Sequence, residues 1–489
     1  MIRLATVFSG IGAIEHALDR MGLEHKLVFA CDNGDVDILS KKVTISNSES
    51  LKSEFEKISK DVEKLKISSK KFNDYKEEIL DKYSLVKDLY NEIINNNLAD
   101  KVLNKKMNDI SAQISMLYEK IKTLQILIEL NEIKDYDERK IFVDKLYANK
   151  EKQNKVMKSY LANYNLDKKH FHWNVSFLDG NQYKNQVDLF VGGSPCQSFS
   201  LVGKQRGLSD TRGTLFYEFA RLVNEIKPKV FIYENVKAVL SNDNGRTWQT
   251  MSNVFTDLNY NWSYKVLNAK DYGIPQNRER IFVVGFKKDL KLKSDFEFPK
   301  AQTLQKKMQD FLLDNVSGKY YLPPKGVDFV TSEKNLTKRF TQIDGEVQLC
   351  QKKNQQFNWH GDFVFVKENK DIEKTMKDLE KYFLSEKVEK YVLSSGTKGF
   401  YSKPKTDLEI ARPLLTTMHK MHRAGVDNYV TTQGRLRKLT PRECLRLMGF
   451  CDSFKIEVSD TAMYQQAGNS IVVDVLIAIM KQILKSYDF

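Results

Sequence analysis

Four short segments carry residues able to do chemistry. Cys196 stands in GGSPCQSFS (192–200), directly after the apolar run VDLFV. A thiol just past the C-terminal end of a strand, in a loop stiffened by Pro195, lies where α/β folds display reactive groups. Cysteines more often fill cores, but the flanking Gly, Ser and Gln favour an exposed loop and a nucleophile. Glu234 closes the next strand in YENV (233–236); in a cleft, a carboxyl there becomes a general acid or hydrogen-bond donor, and otherwise it is a solvated strand end. Arg278 and Arg280 alternate in QNRERIFVVGF (276–286), so an extended chain projects both from one side, unless they merely decorate a charged edge. At the N-terminus, FSGIGA (8–13) follows a strand and opens a helix. Gly10 and Gly12 let the backbone approach a ligand closely, and Asp32, twenty residues after Gly12, can meet ribose hydroxyls. Glu15 replaces the third glycine of the dinucleotide fingerprint, which favours a nucleoside cofactor without a pyrophosphate.

The elements that must position these groups are legible around them. LATVF, AIEHALDRMG and KLVFACD read as strand, helix and strand, a βαβ opening. VDLFVGG and KVFIYEN continue it with the helix TLFYEFARLVNEIKP between them, and YKVLNAKDYG and RIFVVGF add two strands expected to be antiparallel. Between these blocks, residues 35–179 contain no glycine or proline. Leu51, Phe55, Ile58 and Val62, then Phe72, Tyr75, Ile79, Tyr83 and Val86, recur at helical spacing. Several long amphipathic helices, packed as an antiparallel hairpin or coiled coil, are expected there, with breaks near Asn95–Asn97 and Asp135–Asp137. Residues 299–435 mix short β-like runs, aromatics and basic residues. LTPRECLRLMGF (439–450) reads as a capped helix with Thr440 as N-cap, Pro441 first and Gly449 after its end. AGNSIVVDVLIAIMKQILKSY reads as a loop feeding one long helix.

Length and composition bound the possibilities. The 489 residues suggest about three domains, and 78 Lys and Arg against 64 Asp and Glu leave +14, a modest excess that suits a polyanionic partner. The longest apolar stretch, Ile471–Met480, is ten residues and carries Asp474, so no membrane span is expected; the N-terminal residues reach glycines and charges too soon for a secretory leader. Five scattered cysteines without a C-x-x-C pair support neither a zinc cage nor a disulfide framework, and a cytoplasmic location follows. His419 and His422 lack a third ligand, so no metal site is expected.

Ordered as FSGIGA, ACD, GGSPCQS, DTRGTLF, YENV, QNRER, RKLTPRECLRLMGF and QAGNSIVVDVL, the motifs resemble the DNA (cytosine-5)-methyltransferase family of the bacterial restriction–modification type. The resemblance covers residues 1–34, 173–286 and 435–478. It implies a Rossmann-like, S-adenosylmethionine-dependent α/β catalytic domain (1–40 and 165–290, completed by 455–489). It also implies a smaller target-recognition domain (291–454), with readers in 351–363 and 411–425, and an inserted helical arm (41–164). By the same resemblance, the Cys196 thiolate attacks C6 of a flipped cytosine, Glu234 meets N3 and the exocyclic amine, Arg280 supports both, and Arg278 contacts neighbouring groups. Phe8, Gly10 and Gly12 would line the methionine end of S-adenosyl-L-methionine, and Asp32 its ribose. Asn174-Val175 would stand by the adenine, where the family often has Asp, with Pro195, Leu215, Asn469 and Ser470 bordering the cofactor. The partners implied are duplex DNA and a cognate restriction endonuclease, with the chain a monomer. The arm is the large departure from the family. Its 27 Lys plus Arg against 22 Asp plus Glu over residues 41–170 leave a surplus of five, which suits an outrigger, a dimerisation element or a partner-binding arm better than a DNA clamp. Two alternatives remain: methylation of tRNA, whose branch carries a different tripeptide after its cysteine, and an inactive DNA-binding scaffold, against which the complete Cys196, Glu234 and Arg280 set argues.

Overall fold

A computed structural model of the chain describes residues 1–65, 72–95, 100–194, 215–313, 320–353, 359–365, 436–438 and 441–489. The N-terminal strand β1 (Ile2–Val7), helix α1 (Ala13–Arg20) and strand β2 (His25–Cys31) form the expected βαβ unit. Helices α2 (Ser48–Glu63), α3 (Asn73–Asn95), α4 (Asp100–Glu132), α5 (Tyr136–Tyr147) and α6 (Lys155–Asn163) follow. Then come β3 (Phe171–His172), β4 (Leu189–Gly192), α7 (Leu215–Ile226), β5 (Val230–Val236), α8 (Arg246–Asp257), β6 (Tyr260–Asn268) and β7 (Glu279–Lys287). These strands make one sheet in the order β3-β2-β1-β4-β5-β7-β6, parallel except that β7 runs antiparallel to both its neighbours.

Helices cover both faces of this sheet, so its central strands are apolar on both sides. Leu4, Leu189, Val191, Val230, Ile232 and Val284 pack into one core. Their sequence neighbours Ala5, Phe190, Phe231, Tyr233 and Val283 pack into the other with α7 and α8. At the opposite end from the reactive groups, Asp188 joins Arg3 (2.9 Å) and Lys229 (3.0 Å). Burial opposes its charge, but the bonds from Arg3 and Lys229 win and hold its carboxyl down at about 2.

The sheet core is closed by three C-terminal helices: α11 (Pro441–Arg446), α12 (Asp460–Asn469) and α13 (Val473–Ser486). Ala467, Gly468 and Asn469 end α12 rather than forming the expected loop, and the break falls at 470–472. Asp460–Ser486 is the one stretch among the described residues long and apolar enough to cross a membrane, with mean hydropathy 1.6. In the structure Val473, Leu476, Ile479, Met480 and Ile483 of α13 lie in the sheet core.

The inserted helices divide. Leu51, Ile58 and Val62 of α2, Ile79 and Val86 of α3, and Ile110, Ile114, Leu117 and Ile121 of α4 form a separate apolar core. It is a three-helix bundle, one helix more than a hairpin. Its first helix is capped by Asn47, whose side chain accepts from Ser50 N (2.8 Å). Helix α4, about 50 Å long, leaves the bundle and sends Ile126 and Leu130 into the sheet core. Val143 and Tyr147 of α5 and Met157 and Tyr160 of α6 lie there as well. Residues 136–164, which the sequence pattern groups with the arm, thus pack as part of the body built on the seven-stranded sheet.

After β7, α9 (Pro324–Thr331), α10 (Glu333–Thr337) and strands β8 (Thr341–Ile343), β9 (Gly361–Phe365) and β10 (Leu436–Lys438) form a second, smaller unit with sheet order β10-β9-β8. Its core joins Leu322, Val330 and Phe363. Of the expected readers of DNA, residues 354–358 within 351–363 and all of 411–425 fall outside the described residues.

Candidate active site

Glu234 lies near the C-terminal end of β5. The antiparallel register of β5 and β7 sets Glu234 opposite Phe282 and Val236 opposite Arg280, so Glu234 and Arg280 are diagonal neighbours on one face. The Arg280 Nε–Glu234 Oε1 distance is 3.1 Å, and the two side chains are only 17% and 13% exposed. Burial pushes the Glu234 carboxyl above its ordinary range; Arg280 and, less, Arg278 pull it back without cancelling the rise. A carboxyl inclined to keep its proton beside a fixed cation can donate one hydrogen bond while the cation stabilises the charge left behind.

The chain leaving β4 crosses this carboxyl. A Cβ on Gly193 would stand 2.8 Å from Glu234 Oε2 and 3.0 Å from Glu234 O, so only glycine lets the backbone pass. Ser194 Oγ and Tyr233 OH are 2.7 Å apart, and Asn235 Nδ2 donates to Ser194 O (3.2 Å) and Tyr233 OH (2.8 Å). The loop that leads to Cys196 is therefore pinned at its root to the strand that carries Glu234. Pro195 and Cys196 themselves lie outside the described residues.

Arg278 does not share the reactive face with Arg280. It is 3% exposed, and its guanidinium donates to backbone carbonyls: Nη1 to Gln351 O (3.0 Å), Nη2 to Gly468 O (3.0 Å) and Ser470 O (2.9 Å). Burial, then the neighbouring Arg280, lowers its pKa to about 10. Its role is to tie β7 to two distant segments; alternation along an extended run could not reveal this, because Arg278 precedes the first residue of the strand.

The glycine loop, residues 8–12, joins β1 to α1 and lies against the end of β2, where Ser9 N donates to Cys31 O (3.2 Å). Phe8, Gly10 and Gly12 all adopt left-handed backbone (φ 52°, 54° and 75°), which is uncommon for Phe. A Cβ on Gly10 would meet nothing closer than Phe8 O at 4.0 Å, so open space lies over it, whereas a Cβ on Gly12 would run into the Tyr164 ring. Asp32 accepts from Gly10 N (2.9 Å) and Gly34 N (2.8 Å), one with each carboxylate oxygen. It thereby braces the loop, and each oxygen keeps a second lone pair for a ribose hydroxyl. Open space above an uncluttered backbone beside an acidic residue fits a nucleoside cofactor.

The remaining expected cofactor residues divide by exposure. Asn174 Oδ1 accepts from Ser176 N (2.9 Å) and its amide donates to Tyr147 OH (3.3 Å), while Tyr147 stacks on Trp173 with ring centres 4.7 Å apart. Val175 is buried, leaving only its backbone for a ligand. Leu215 opens α7 half-buried. Asn469 is exposed, whereas Ser470 is buried and its hydroxyl donates to Ile471 O. Among the described residues no three His, Cys, Asp or Glu side chains cluster as metal ligands.

Several site residues carried no sequence signal. Glu15 is fully buried beneath the glycine loop, accepting from Tyr160 OH (2.5 Å) and Thr6 Oγ1 (3.1 Å), and burial raises its pKa despite these bonds. Tyr164 OH bonds Gly12 O (2.7 Å), and Asn154 Nδ2 donates to Asp32 O (3.1 Å). These three anchors, Tyr160, Tyr164 and Asn154, come from α6 and its two caps, inside what periodicity presents as a featureless helical block.

The model of the family described as C-5 cytosine-specific DNA methylase matches residues 138–485. Type II methyltransferase M.HhaI of Haemophilus parahaemolyticus is 35% identical over 308 residues, 62% of this chain and 77% of that protein. Type II methyltransferase M1.ScrFI of Lactococcus lactis subsp. cremoris is 32% identical over 333 residues, covering 68% and 69%. Type II methyltransferase M.HpaII of Haemophilus parainfluenzae is 31% identical over 306 residues, covering 61% and 72%.

Proposed function

The chain belongs to the C-5 cytosine-specific DNA methylase family, and from that premise we propose that it methylates cytosine C5 within a short specific duplex sequence. It is a DNA (cytosine-5)-methyltransferase that uses S-adenosyl-L-methionine. The bound cofactor supplies an electrophilic methyl on its sulfonium; Phe8, Gly10, Gly12 and Asp32 would hold it, with Asn174, Leu215 and Asn469 at its border. C5 and C6 are shielded in a stacked duplex, so the target base is flipped out at a cost of a few kcal/mol. The Cys196 thiolate then bonds C6, and the ring electrons move towards C5 and N3. Glu234 gives its proton to N3 and accepts from the exocyclic amine, while Arg280 stabilises the carboxylate that results. After C5 has taken the methyl group, loss of its proton to water, expulsion of the Cys196 thiolate and return of the N3 proton to Glu234 restore the neutral aromatic ring.

The observation that carries this reading is the Arg280–Glu234 pair, 3.1 Å apart at the sheet edge where the Gly193–Ser194 backbone crosses the carboxyl. Cys196 follows Ser194 by two residues, and two residues of chain reach at most about 7 Å. Residues 291–454 are proposed to recognise the target, and the helical bundle to act as an outrigger for a partner. The enzyme is read as a cytoplasmic monomer that protects DNA in a restriction–modification system alongside an endonuclease of the same specificity. Bisulfite mapping of DNA from cells expressing the chain tests the reaction and identifies the target together. Label transferred only to tRNA, or no 5-methylcytosine at any repeated sequence, would refute the proposal.

A further inference from the structure

The second unit reaches the reactive edge through one segment, Gln348–Lys353. Its start runs along the approach to β7: Gln348 N donates to Pro275 O (2.6 Å), Asn277 N to Gln348 O (2.6 Å), and Gln351 N to Gln276 Oε1 (3.1 Å). Its other end crosses α12 so closely that a Cβ on Gly468 would meet the Lys352 and Lys353 backbone at 2.8 Å, and Lys353 pairs with Asp35 near the glycine loop. The small sheet holds the segment by one side chain. Asp362 of β9, 1% exposed, accepts from Leu349 N with both oxygens (3.0 and 3.2 Å) and from Gln342 Nε2 (2.8 Å).

Between those anchors stands Cys350, half-buried. Its Sγ lies 3.9 Å from Arg278 Nη1 and 3.9 Å from Arg280 Nη2, and 3.8 Å from Gln351 O, to which its S–H donates. The Arg280 guanidinium is thus fixed on three edges: Nε at Glu234, Nη1 at Glu279 O (2.8 Å) and Nη2 at the Cys350 sulfur. Among the described residues only the last contact comes from outside the catalytic sheet.

We infer that Cys350 is a positioning residue for methyl transfer, setting Arg280 against Glu234 on behalf of the target-recognition unit, with Asp362 transmitting that unit's position through Leu349. The inference rests on the cytosine-methylation reading above. It makes the protonation of N3 depend on a segment that moves with the small sheet, so that chemistry follows recognition. Among the described residues the charged groups acting on Glu234 are Arg280 and Arg278. Both are cations that favour its ionised form, so a loosened Arg280 makes Glu234 hold its proton to higher pH.

The test measures transfer of tritiated methyl from S-adenosylmethionine to unmethylated plasmid DNA by the full chain, its Cys350→Ala variant and its Cys350→Val variant, which fills the space of the thiol but has no acceptor. For both variants kcat should fall roughly tenfold. KM for the cofactor should stay at the wild-type value, and the alkaline limb of the kcat–pH profile should move to higher pH. The thermal midpoint of the valine variant should match wild type. Wild-type kcat in both variants, or a fall in kcat that comes with a lowered midpoint and an unmoved alkaline limb, overturns the inference. A wild-type chain that labels no DNA overturns the methylation reading beneath it and is distinguishable from either result.

Discussion

The two halves of the reactive edge are built from different spans of chain. On the proposed cofactor side, Phe8, Gly10, Gly12 and Asp32 come from a single βαβ unit and are braced within it, by Asp32 on Gly10 and Gly34. Outside help comes from His172 O, which accepts from Asp32 N (3.0 Å), and from Asn154, Tyr160 and Tyr164 around one short helix. On the proposed base side, Glu234 and Arg280 sit among residues 193–194, 276–278, 348–351 and 468–470, the last held through Arg278, and these segments span 277 positions of the 489, from 193 to 470. A pocket specified by neighbours in sequence forms early and tolerates a large insertion beside it. A pocket assembled from four distant segments exists only when the whole tertiary fold is complete, and it can therefore be made to answer to any of them.

Substitutions that separate chemistry from scaffold sharpen this contrast most. Cys196→Ala should reduce kcat by at least about 10⁴-fold while duplex binding in a gel-shift assay stays intact, because in the proposed mechanism the thiol acts only after the base is flipped. Arg278→Met should act on the base side as a scaffold lesion. It strands three buried carbonyls and should cost about 2–4 kcal/mol in denaturant unfolding, with cofactor affinity falling only as far as the fold does. On the cofactor side Gly12→Ala forces an alanine to φ 75° against the Tyr164 ring, for a loss of about 1–3 kcal/mol. Weaker cofactor binding by calorimetry should accompany it, with no change in the pH dependence of turnover.

A pH experiment probes the link between the halves. Burial pushes the Asp362 carboxyl up to about 7, against the Leu349 amide and Gln342 that favour its charged form. A folded pKa above the unfolded one means that stability is greatest below the unfolded value, near 4, and is lost as pH rises towards 7. Asp362→Asn should abolish that loss, so its unfolding free energy should change less than wild type between pH 4 and pH 8; parallel curves would count against the assignment. The smallest effect is expected for excising the bundle. Residues 38 and 122 touch through the Lys122 ammonium and Ile38 O, and Val43 N bonds Ser115 Oγ (3.0 Å), so joining residue 40 to residue 120 by a short linker should leave methyl transfer near wild type. Removing 45–165 instead takes Tyr147, Tyr160 and Tyr164 from the sheet core and should leave no soluble enzyme.

Much of this architecture was readable in one dimension. Strand, glycine turn and helix at 2–20, the buried runs ending at Gly192 and Val236, and the helix-forming block between them are local patterns whose period and punctuation reflect backbone geometry. So are the breaks at Asn95 and near Asp135, where α3 ends and α5 begins. Periodicity alone could not separate α5 and α6 from the bundle, because an amphipathic stripe states that a face is buried and not which core buries it. Nor could it divide Arg278 from Arg280, since equal residues at equal spacing differ here only in what lies across from them.

The succession of strands and helices along the chain and the glycine turn after β1 were therefore legible in the amino-acid string, because each depends on residues near one another along it. The raised proton affinity of Glu234, the structural duty of Arg278 and the placement of Cys350 against Arg280 were settled by the folded molecule. Each is a property of an environment, made of desolvation and of donors brought in from remote segments, and such an environment has no counterpart until the chain has closed around it.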